Sequence, residues 1–414
     1  MADGHHRFGL LPSTARHDAL LLLASRGLRA FGDGLISLLL PYYLIALGFD
    51  ALAIGLIITA TLLGSSILTL LAGLTVHRFS DRAMLMGAAL LMTFTGVAFV
   101  LLHDFWLLLI IAFVGTLNPS AGDASVFATL EQTKLARTVA DRDRTALLAR
   151  YSLVGSLAGA GGAFAARFPD IVRASGGLDD HSALQAAFLL YAGIGILALV
   201  LYRRLPISPV EASSQTPLHR SRRTVLVLAS LLSLDAFAGG LVLQSMLALW
   251  IFQRFDLSLS MMSTLFFASG VLTAISYLAA SSISRRIGLL KTMVFTHIPA
   301  SICLALVPFM PNTGLAITLL LIRSALSEMD VPARRSYVMA VVTPEERRAA
   351  VSITSVSRTL AATAGPALTG SLLLGSSFGY PLIIAGGLKI VYDLLLFSMF
   401  HSIRPPEEHS NQVG

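Results

Sequence analysis

Hydrophobic and polar positions follow one another along this chain in long blocks. Twelve apolar stretches are separated by short segments rich in Gly, Pro, Asp and Arg. A helix of about 20 apolar residues crosses the hydrocarbon core of a bilayer, so each stretch predicts one membrane-spanning helix. We number these predicted spans 1 to 12, and they cover residues 19–47, 52–75, 84–102, 105–132, 147–166, 184–202, 224–253, 261–283, 292–309, 314–333, 350–374 and 382–400.

The composition agrees with a membrane protein. Hydrophobic residues make up 55% of the 414 residues and charged residues only 13%, whereas soluble domains carry about 25% charged residues. The predicted fold class is therefore an all-α integral membrane protein. The polar leader before span 1 is followed by an apolar run too long for the hydrophobic region of a signal peptide, so we expect span 1 to be retained.

Lysine and arginine are distributed unevenly between the two sides of the predicted bundle. The termini and the loops after even-numbered spans hold 21 of the 30 Lys and Arg residues, the opposite loops hold 3, and 6 lie inside spans. Because cytoplasmic loops retain these residues, both termini are expected in the cytoplasm, with the protein in a bacterial inner membrane. Anionic lipid headgroups account for the net charge of +7, and no nucleic-acid partner is required.

The sequence also repeats itself. The segment RAFGDGL at 29–35 has a counterpart, DAFAGGL, at 235–241, and a shift of 206 residues pairs Gly34 with Gly240. The shift is close to half the chain length. It predicts two halves of six helices in the same orientation.

The predicted division of the chain follows from this repeat. An N-terminal bundle covers residues 1–202, a proline-containing cytoplasmic linker covers 203–223, and a C-terminal bundle with a short tail covers 224–414. Parallel repeats of this kind occur in one large class of secondary transporters.

Three motifs can be compared with the sequence motifs of that class. The loop after span 2 reads GLTVHRFSDR, span 5 contains GSLAGAGG, and span 11 contains GPALTG. Over nearly its whole length the chain resembles the major facilitator superfamily (MFS), in particular its drug–proton antiporter branch and a group of bacterial permeases. The glycines of spans 5 and 11 are equally compatible with ordinary close packing of helices.

The resemblance implies a fold and several residue roles. It implies a twelve-helix fold of two pseudo-symmetric bundles, with spans 1, 4, 7 and 10 around a central cavity. The loop after span 2 is then a gating loop, in which His77 stands where the family has an acid and Asp81 could substitute for it. The predicted gating residues are Gly73, His77, Arg78, Asp81 and Arg82.

Ionisable residues inside membrane spans are costly, and they usually face water or a partner. Five acids lie on the four spans that the resemblance places around the cavity, and we expect them to couple substrate and proton movement: Asp33, Asp123, Asp235, Glu328 and Asp330. Arg29 precedes Asp33 by one turn. It could adjust the proton affinity of Asp33, or the two could simply form a neutral pair.

Other polar residues are predicted contacts inside the cavity: Arg29, Glu131, Gln244, Arg323 and Arg358. The guanidinium groups of Arg323 and Arg358 could bind a carboxylate or phosphate, or serve as counterions for the acids. Lys134 or Arg137 could neutralise Glu131 in the same way.

Three further groups of residues are assigned no role in transport or catalysis. We interpret Lys389 and Asp393, four residues apart in span 12, as a structural pair. The histidines at 77, 103 and 297 are isolated in the sequence and are interpreted as surface or core residues. The single cysteine, Cys303, allows no internal disulfide, and no metal or cofactor motif is found.

These observations predict a monomeric secondary active transporter with a small-molecule substrate. The antiporter-like glycines and the intramembrane acids favour proton-coupled efflux of a small amphipathic or cationic organic compound. An uncoupled facilitator or an importer of a polyol or organic anion is the alternative. An enzyme is not expected, because the chain has neither a nucleotide-binding glycine loop nor an HExxH helix.

Overall fold

The computed structural model describes residues 17–75, 78–120, 125–136, 138–139, 141–174, 180–207, 221–343 and 346–401. In these ranges the secondary structure is helical, without strands. The first half contains α1 (His17–Ala46), α2 (Ala51–Thr75), α3 (Asp81–Leu101), α4 (Phe105–Val114), α5 (Val126–Ala136), α6 (Asp141–Ala165), α7 (Phe168–Ala174) and α8 (Asp180–Arg203). The second half contains α9 (Arg222–Leu241), α10 (Gln244–Phe255), α11 (Leu259–Ile287), α12 (Leu289–Leu306), α13 (Thr313–Leu326), α14 (Asp330–Ala340), α15 (Arg347–Thr363), α16 (Gly365–Gly375) and α17 (Tyr380–Phe400).

Every predicted span falls on one or two of these helices. Eight candidate spans, among the residues described, are long and apolar enough to cross a bilayer, and they match predicted spans 1, 2, 3, 6, 7, 8, 9 and 12. Spans 4, 10 and 11 are each built from two shorter helices, and span 5 is the more polar α6. The fold is the twelve-span, two-bundle architecture.

Four predicted spans are interrupted rather than continuous, which corrects the sequence-based picture. Three of the interruptions lie next to prolines: Pro119 between α4 and α5, Pro332 in the first turn of α14, and Pro366 in the first turn of α16. Proline cannot donate the helical hydrogen bond and clashes with the preceding turn, so a new helix starts near it. The fourth interruption separates α9 from α10 and follows the Gly239–Gly240 pair.

Helix packing reproduces the repeat seen in the sequence. In the first half α1 packs on α6 and α8, and α3 packs on α8; in the second half α9 packs on α15 and α17, and α12 packs on α17. Gly34 faces the backbone of Gly159 in one half, and Gly240 faces the backbone of Ala362 in the other. The glycines that the shift aligns therefore sit at corresponding helix contacts.

The two halves meet through α2 with α15 and α16, α6 with α11, and α1 with α10. Near the end of the bundle at which α1 stops, which we call the far end, Tyr42 donates a hydrogen bond to the carbonyl of Leu257 at 3.1 Å. At the same end Asp170 in α7 accepts hydrogen bonds from the Ser260 amide and hydroxyl at 2.8 and 2.9 Å. The short helix α7, which the sequence analysis does not predict, thus ties the halves together there.

Candidate functional site

A cavity of about 470 Å³ lies between the two halves. Its first-half wall comes mainly from α6, with Arg26 of α1, and its second-half wall comes from helices between α9 and α17. The volume falls within the range of about 300 to 1,000 Å³ that is usual for small-molecule sites. The charged residues described in its wall are Arg26, Asp235, His297, Arg323, Glu328, Asp330, Arg334, Arg358 and Lys389.

Asp235, in the middle of α9, is the centre of a dense charge network. Its Oδ1 accepts a hydrogen bond from Lys389 Nζ at 2.7 Å, and its Oδ2 lies 3.3 Å from Arg334 Nη1. Arg358 Nη2 is 3.8 Å from the same Oδ2. Several cations therefore surround this one buried carboxylate, which compensates the cost of burying it.

Arg334 links this network to Asp330. Its Nη1 donates to Asp330 Oδ2 at 2.7 Å, a contact between residues four apart on α14. Asp330 is also the first residue of α14, where the helix dipole favours a negative charge. Both Asp235 and Asp330 are thus held by cations of the wall.

Lys389 and Asp393 do not form the structural pair that their spacing suggests. Lys389 contacts Asp235, whereas Asp393 pairs with His297, whose Nδ1 lies 3.0 Å from Asp393 Oδ2. His297 is buried, with 5% of its side chain exposed, and it borders the cavity. It is a core residue, as the sequence allowed, but it is not isolated in the fold, because its partners Asp235 and Asp393 lie 62 and 96 residues away in the sequence.

Glu328 and Arg323 are less strongly neutralised. Glu328 Oε2 accepts a hydrogen bond from the Tyr277 hydroxyl at 3.1 Å. Within the part of the chain that the structure describes, no carboxylate lies within 4.0 Å of the Arg323 guanidinium. Arg323 thus forms no direct ion pair with the described residues, although its charge and that of Glu328 attract each other at longer range. Its role as a counterion or as an anion-binding residue stays a prediction.

The predicted pairing of Arg29 with Asp33 is also replaced by another arrangement. Arg29 forms a buried ion pair with Glu131, and its Nε donates to the Tyr202 hydroxyl at 2.9 Å. Tyr202 and Tyr151 each donate to Glu131 at 2.6 Å. This cluster joins α1, α5, α6 and α8. Its residues are not part of the cavity wall, nor does Glu131 use Lys134, whose Nζ donates to the carbonyl of Pro206.

Asp33 lies in α1, away from the cavity wall, where Asn118 Nδ2 is 3.4 Å from its Oδ2. Asp123 lies outside the described residues. The predicted convergence of acids therefore holds for Asp235, Glu328 and Asp330 and not for Asp33. The wall also contains Gln244, which donates to the Ser37 hydroxyl at 2.9 Å.

The predicted gating loop lies at the end of the bundle opposite the far end. His77 is outside the described residues. Ser80 caps α3 by accepting a hydrogen bond from the Ala83 amide at 3.2 Å, and Asp81 is buried in the first turn of α3. Gly73 and Arg78 are exposed, and Arg82 is half-buried. Their gating role stays a prediction.

Sequence reasoning missed Arg26, His297, Arg334 and Lys389 as members of the cavity wall. Arg334 was assigned to a loop, because span 10 was expected to end at 333, whereas α14 continues to Ala340. The proline at 332 was the signal that a second helix starts there. Among the residues described, no group of three His, Cys, Asp or Glu side chains could hold a metal ion.

Comparisons with known proteins agree with this architecture. The chain is 26% identical over 423 residues to the uncharacterised membrane protein YJR124C of Saccharomyces cerevisiae, with 93% of this chain and 94% of that protein covered. A D-xylose–proton symporter of known structure is 16% identical and covers 92% of this chain and 97% of its own, with a TM-score of 0.74. The nucleoside transporter NupG is 14% identical and covers 93% and 99%, with a TM-score of 0.70.

The family model described as Major Facilitator Superfamily matches twice, over residues 22–329 and 229–414. The two matches start 207 residues apart, close to the 206-residue repeat in the sequence. At the identities given above, the solved structures show a shared fold alone. The chain is a multi-pass membrane transporter that belongs to the Major Facilitator Superfamily.

Proposed function

We propose that this transporter moves a small hydroxylated organic anion, such as a sugar acid, through the cavity between its halves by alternating access. The observation that carries the proposal is the charge of the wall. Among the described lining residues, the permanent cations are Arg26, Arg323, Arg334, Arg358 and Lys389, and the carboxylates are Asp235, Glu328 and Asp330. A cavity wall with more cations than carboxylates favours the binding of an anionic substrate.

Arg323 and Arg358 are the best placed to bind that anion. Arg323 has no carboxylate within ion-pair distance among the described residues, and Arg358 touches Asp235 only at 3.8 Å. The Nε of Arg358 is buried without a hydrogen-bond partner. Guanidinium groups match the planar geometry of a carboxylate, so an anion in the cavity would give these arginines a charged partner.

The wall also carries many hydroxyl and amide groups, which suit a hydroxylated substrate better than an apolar one. These groups come from both halves: Ser120, Ser152, Ser156, Gln244, Ser269, Thr273, Tyr277, Ser324 and Ser327. A cationic substrate finds fewer partners, because Asp235 and Asp330 are already bound by cations of the wall. The geometry therefore favours the organic-anion alternative over the cationic compound.

Alternating access fits the closed far end. Tyr42 contacts Leu257 there, and Asp170 contacts Ser260, so these links between the halves must break before a substrate can pass. With the arginine-rich loops in the cytoplasm, the far end faces the extracytoplasmic side. Protons are the proposed coupling ion.

Three ligands with one carbon skeleton test the charge preference. Gluconate, sorbitol and glucamine carry a negative, zero and positive charge at the same end of a six-carbon polyol. A ligand at about 100 times its Kd stabilises the folded protein by about 2.7 kcal/mol. We expect gluconate alone to raise the melting temperature of the purified protein. Stabilisation by glucamine instead of gluconate would contradict the proposal and support a cation carrier.

Arg323→Gln tests the site itself. Loss of one charged contact in a water-poor site is expected to weaken gluconate binding by about 10- to 100-fold. Arg254→Gln is the matched control, because Arg254 is an exposed residue at the end of α10 and outside the cavity wall. Equal losses in both variants would show that net charge, rather than the site, controls binding.

A further inference from the structure

A histidine–aspartate pair lies behind the substrate-facing network. His297 in α12 and Asp393 in α17 contact each other at 3.0 Å through Nδ1 and Oδ2. The other ring nitrogen, Nε2, is 3.4 Å from Lys389 Nζ and 3.8 Å from Asp235 Oδ1. His297 thus connects a buried acid on one side with the central ion pair of the cavity on the other.

Charged groups from several helices face this pair. From α17 come Asp393 and Lys389, with Tyr392 edge-on to the imidazole ring at a centroid distance of 6.1 Å. From α9 comes Asp235. The neighbouring helices α13 and α14 add Arg323, Asp330 and Arg334, and Glu328 lies between them.

We propose that His297 is the proton-binding residue that couples this transporter to a proton gradient, and that it acts by releasing Lys389 from Asp235. This inference rests on the proposed function. It adds the identity of the proton site and the means by which protonation changes the affinity for the substrate.

The step is a single proton transfer, in which an N–H bond forms at Nε2 and an O–H bond of hydronium breaks to leave water. An ionised Asp393 can only accept a hydrogen bond from Nδ1, so we assign the proton of the neutral ring to Nδ1, and the Nε2 lone pair then faces Lys389. The proton that binds to Nε2 makes the ring a cation, which Asp393 stabilises. The new Nε2–H can donate to Asp235, and the like charges of imidazolium and Lys389 repel each other.

Lys389 is then displaced toward the cavity, whose wall it already forms. There it adds a positive charge next to the proposed anion site. When the proton leaves Nε2, Lys389 returns to Asp235 and the site weakens. The exchange therefore couples protonation to anion affinity through two side chains that compete for one carboxylate.

A second, smaller cavity supplies a route for the proton. It has a volume of about 50 Å³ and is bordered by His297, Lys389, Glu328, Arg323 and Ser327. One water needs about 10 to 15 Å³ of such volume, so the space admits water beside the imidazole. It lies next to Glu328, which is in contact with the main cavity.

Thermodynamic linkage gives the coupling its direction. If protonation raises anion affinity by some factor, the bound anion raises proton affinity by the same factor. Anion and proton then travel together, and the transporter is a symporter. This differs from the antiport that competition for one carboxylate would give.

The test measures gluconate binding to the purified full chain as a function of pH. Histidine titrates near neutrality, so the wild-type affinity is expected to fall about tenfold between about pH 6 and about pH 8, a range over which gluconate stays ionised. His297→Asn is expected to show less than about twofold change over that range. His103→Asn, at an exposed position in the loop between α3 and α4, is the control and should follow the wild type.

A wild-type pH dependence that survives intact in His297→Asn would overturn the inference. If that variant does not fold, calorimetry of the wild type in two buffers of different ionisation enthalpy gives the number of protons bound with each gluconate. An uptake of about one proton near neutral pH is expected, and zero uptake contradicts the inference. The proposed function fails differently, because the wild type would then bind no gluconate at all.

Discussion

At the scale of single residues, a buried ion pair among the described residues of the first half has a complete set of partners. Arg29 is 1% exposed and Glu131 is 0% exposed, and Tyr151 and Tyr202 satisfy the carboxylate that the arginine does not fully occupy. Arg29 also lies over the ring of Phe127 at 4.1 Å. In such a cluster each charge is tolerated only while its partner is present.

Glu131→Gln therefore should destabilise the protein strongly. Removal of one member of a buried pair typically costs about 3 to 5 kcal/mol, because the remaining charge is buried without compensation. The measurement is the denaturation midpoint in detergent. The double variant Arg29→Met, Glu131→Leu should recover much of the loss, and a double variant no more stable than Glu131→Gln would argue against this reading.

The residue scale also shows where sequence reasoning stops. The presence of ionisable groups inside spans is visible from composition, and their cost predicts partners. Which partner each group takes is set by helix packing: Arg29 selects Glu131, 102 residues away, over Asp33, four residues away. Lys389 likewise selects Asp235 over Asp393. In both cases the spacing of four residues along one helix had predicted the pair within that helix instead.

At the scale of helices, small residues set how closely the spans approach. A Cβ added at Gly240 would overlap the carbonyl oxygen of Ala362 and stand 3.0 Å from its carbonyl carbon. The adjacent Gly239 has no atom within 4 Å of such a Cβ. Substitution of each of these neighbouring glycines therefore distinguishes the effect of close helix packing from the general effect of replacing a glycine in a helix.

Gly240→Ala should lower the melting temperature, because α9 and α15 must move apart to admit the methyl group. Gly239→Ala should be neutral or stabilising by about 0.5 to 1 kcal/mol, since alanine is the better helix former. Thermal unfolding of the two variants in one detergent provides the comparison. Equal destabilisation in both would mean that the α9–α15 contact does not limit packing at position 240.

Helix boundaries were predictable to within several residues, whereas helix interruptions were not predicted. The apolar blocks define the spans because the bilayer requires a minimum length. The breaks depend on local chemistry that a hydropathy pattern ignores, such as Pro332 and Pro366. At the first of these breaks Asp330 begins α14, so the discontinuity helps to bring an acid to the cavity.

At the scale of the whole molecule, the duplication explains the shape of the site. Equivalent contacts between α1 and α6 and between α9 and α15 build two similar bundles. The halves nevertheless differ in chemistry: the first half encloses a charge cluster around Glu131 and adds one described charged residue, Arg26, to the cavity wall, whereas the second half adds eight. The repeat was visible in the sequence. The different arrangement of charges in the two halves was not predicted, because equivalent positions carry different residues.

The proposed function is transport of an organic anion through the cation-rich cavity between the halves. Counterflow of radiolabelled gluconate into proteoliposomes loaded with unlabelled gluconate tests this proposal, because exchange requires neither an ion gradient nor an assumed direction of transport. We expect exchange by the wild type and by Arg254→Gln, and a loss of about tenfold or more in Arg323→Gln, in line with the cost of one charged contact. Absence of exchange by the wild type, or exchange that is unchanged in Arg323→Gln, would contradict the proposal.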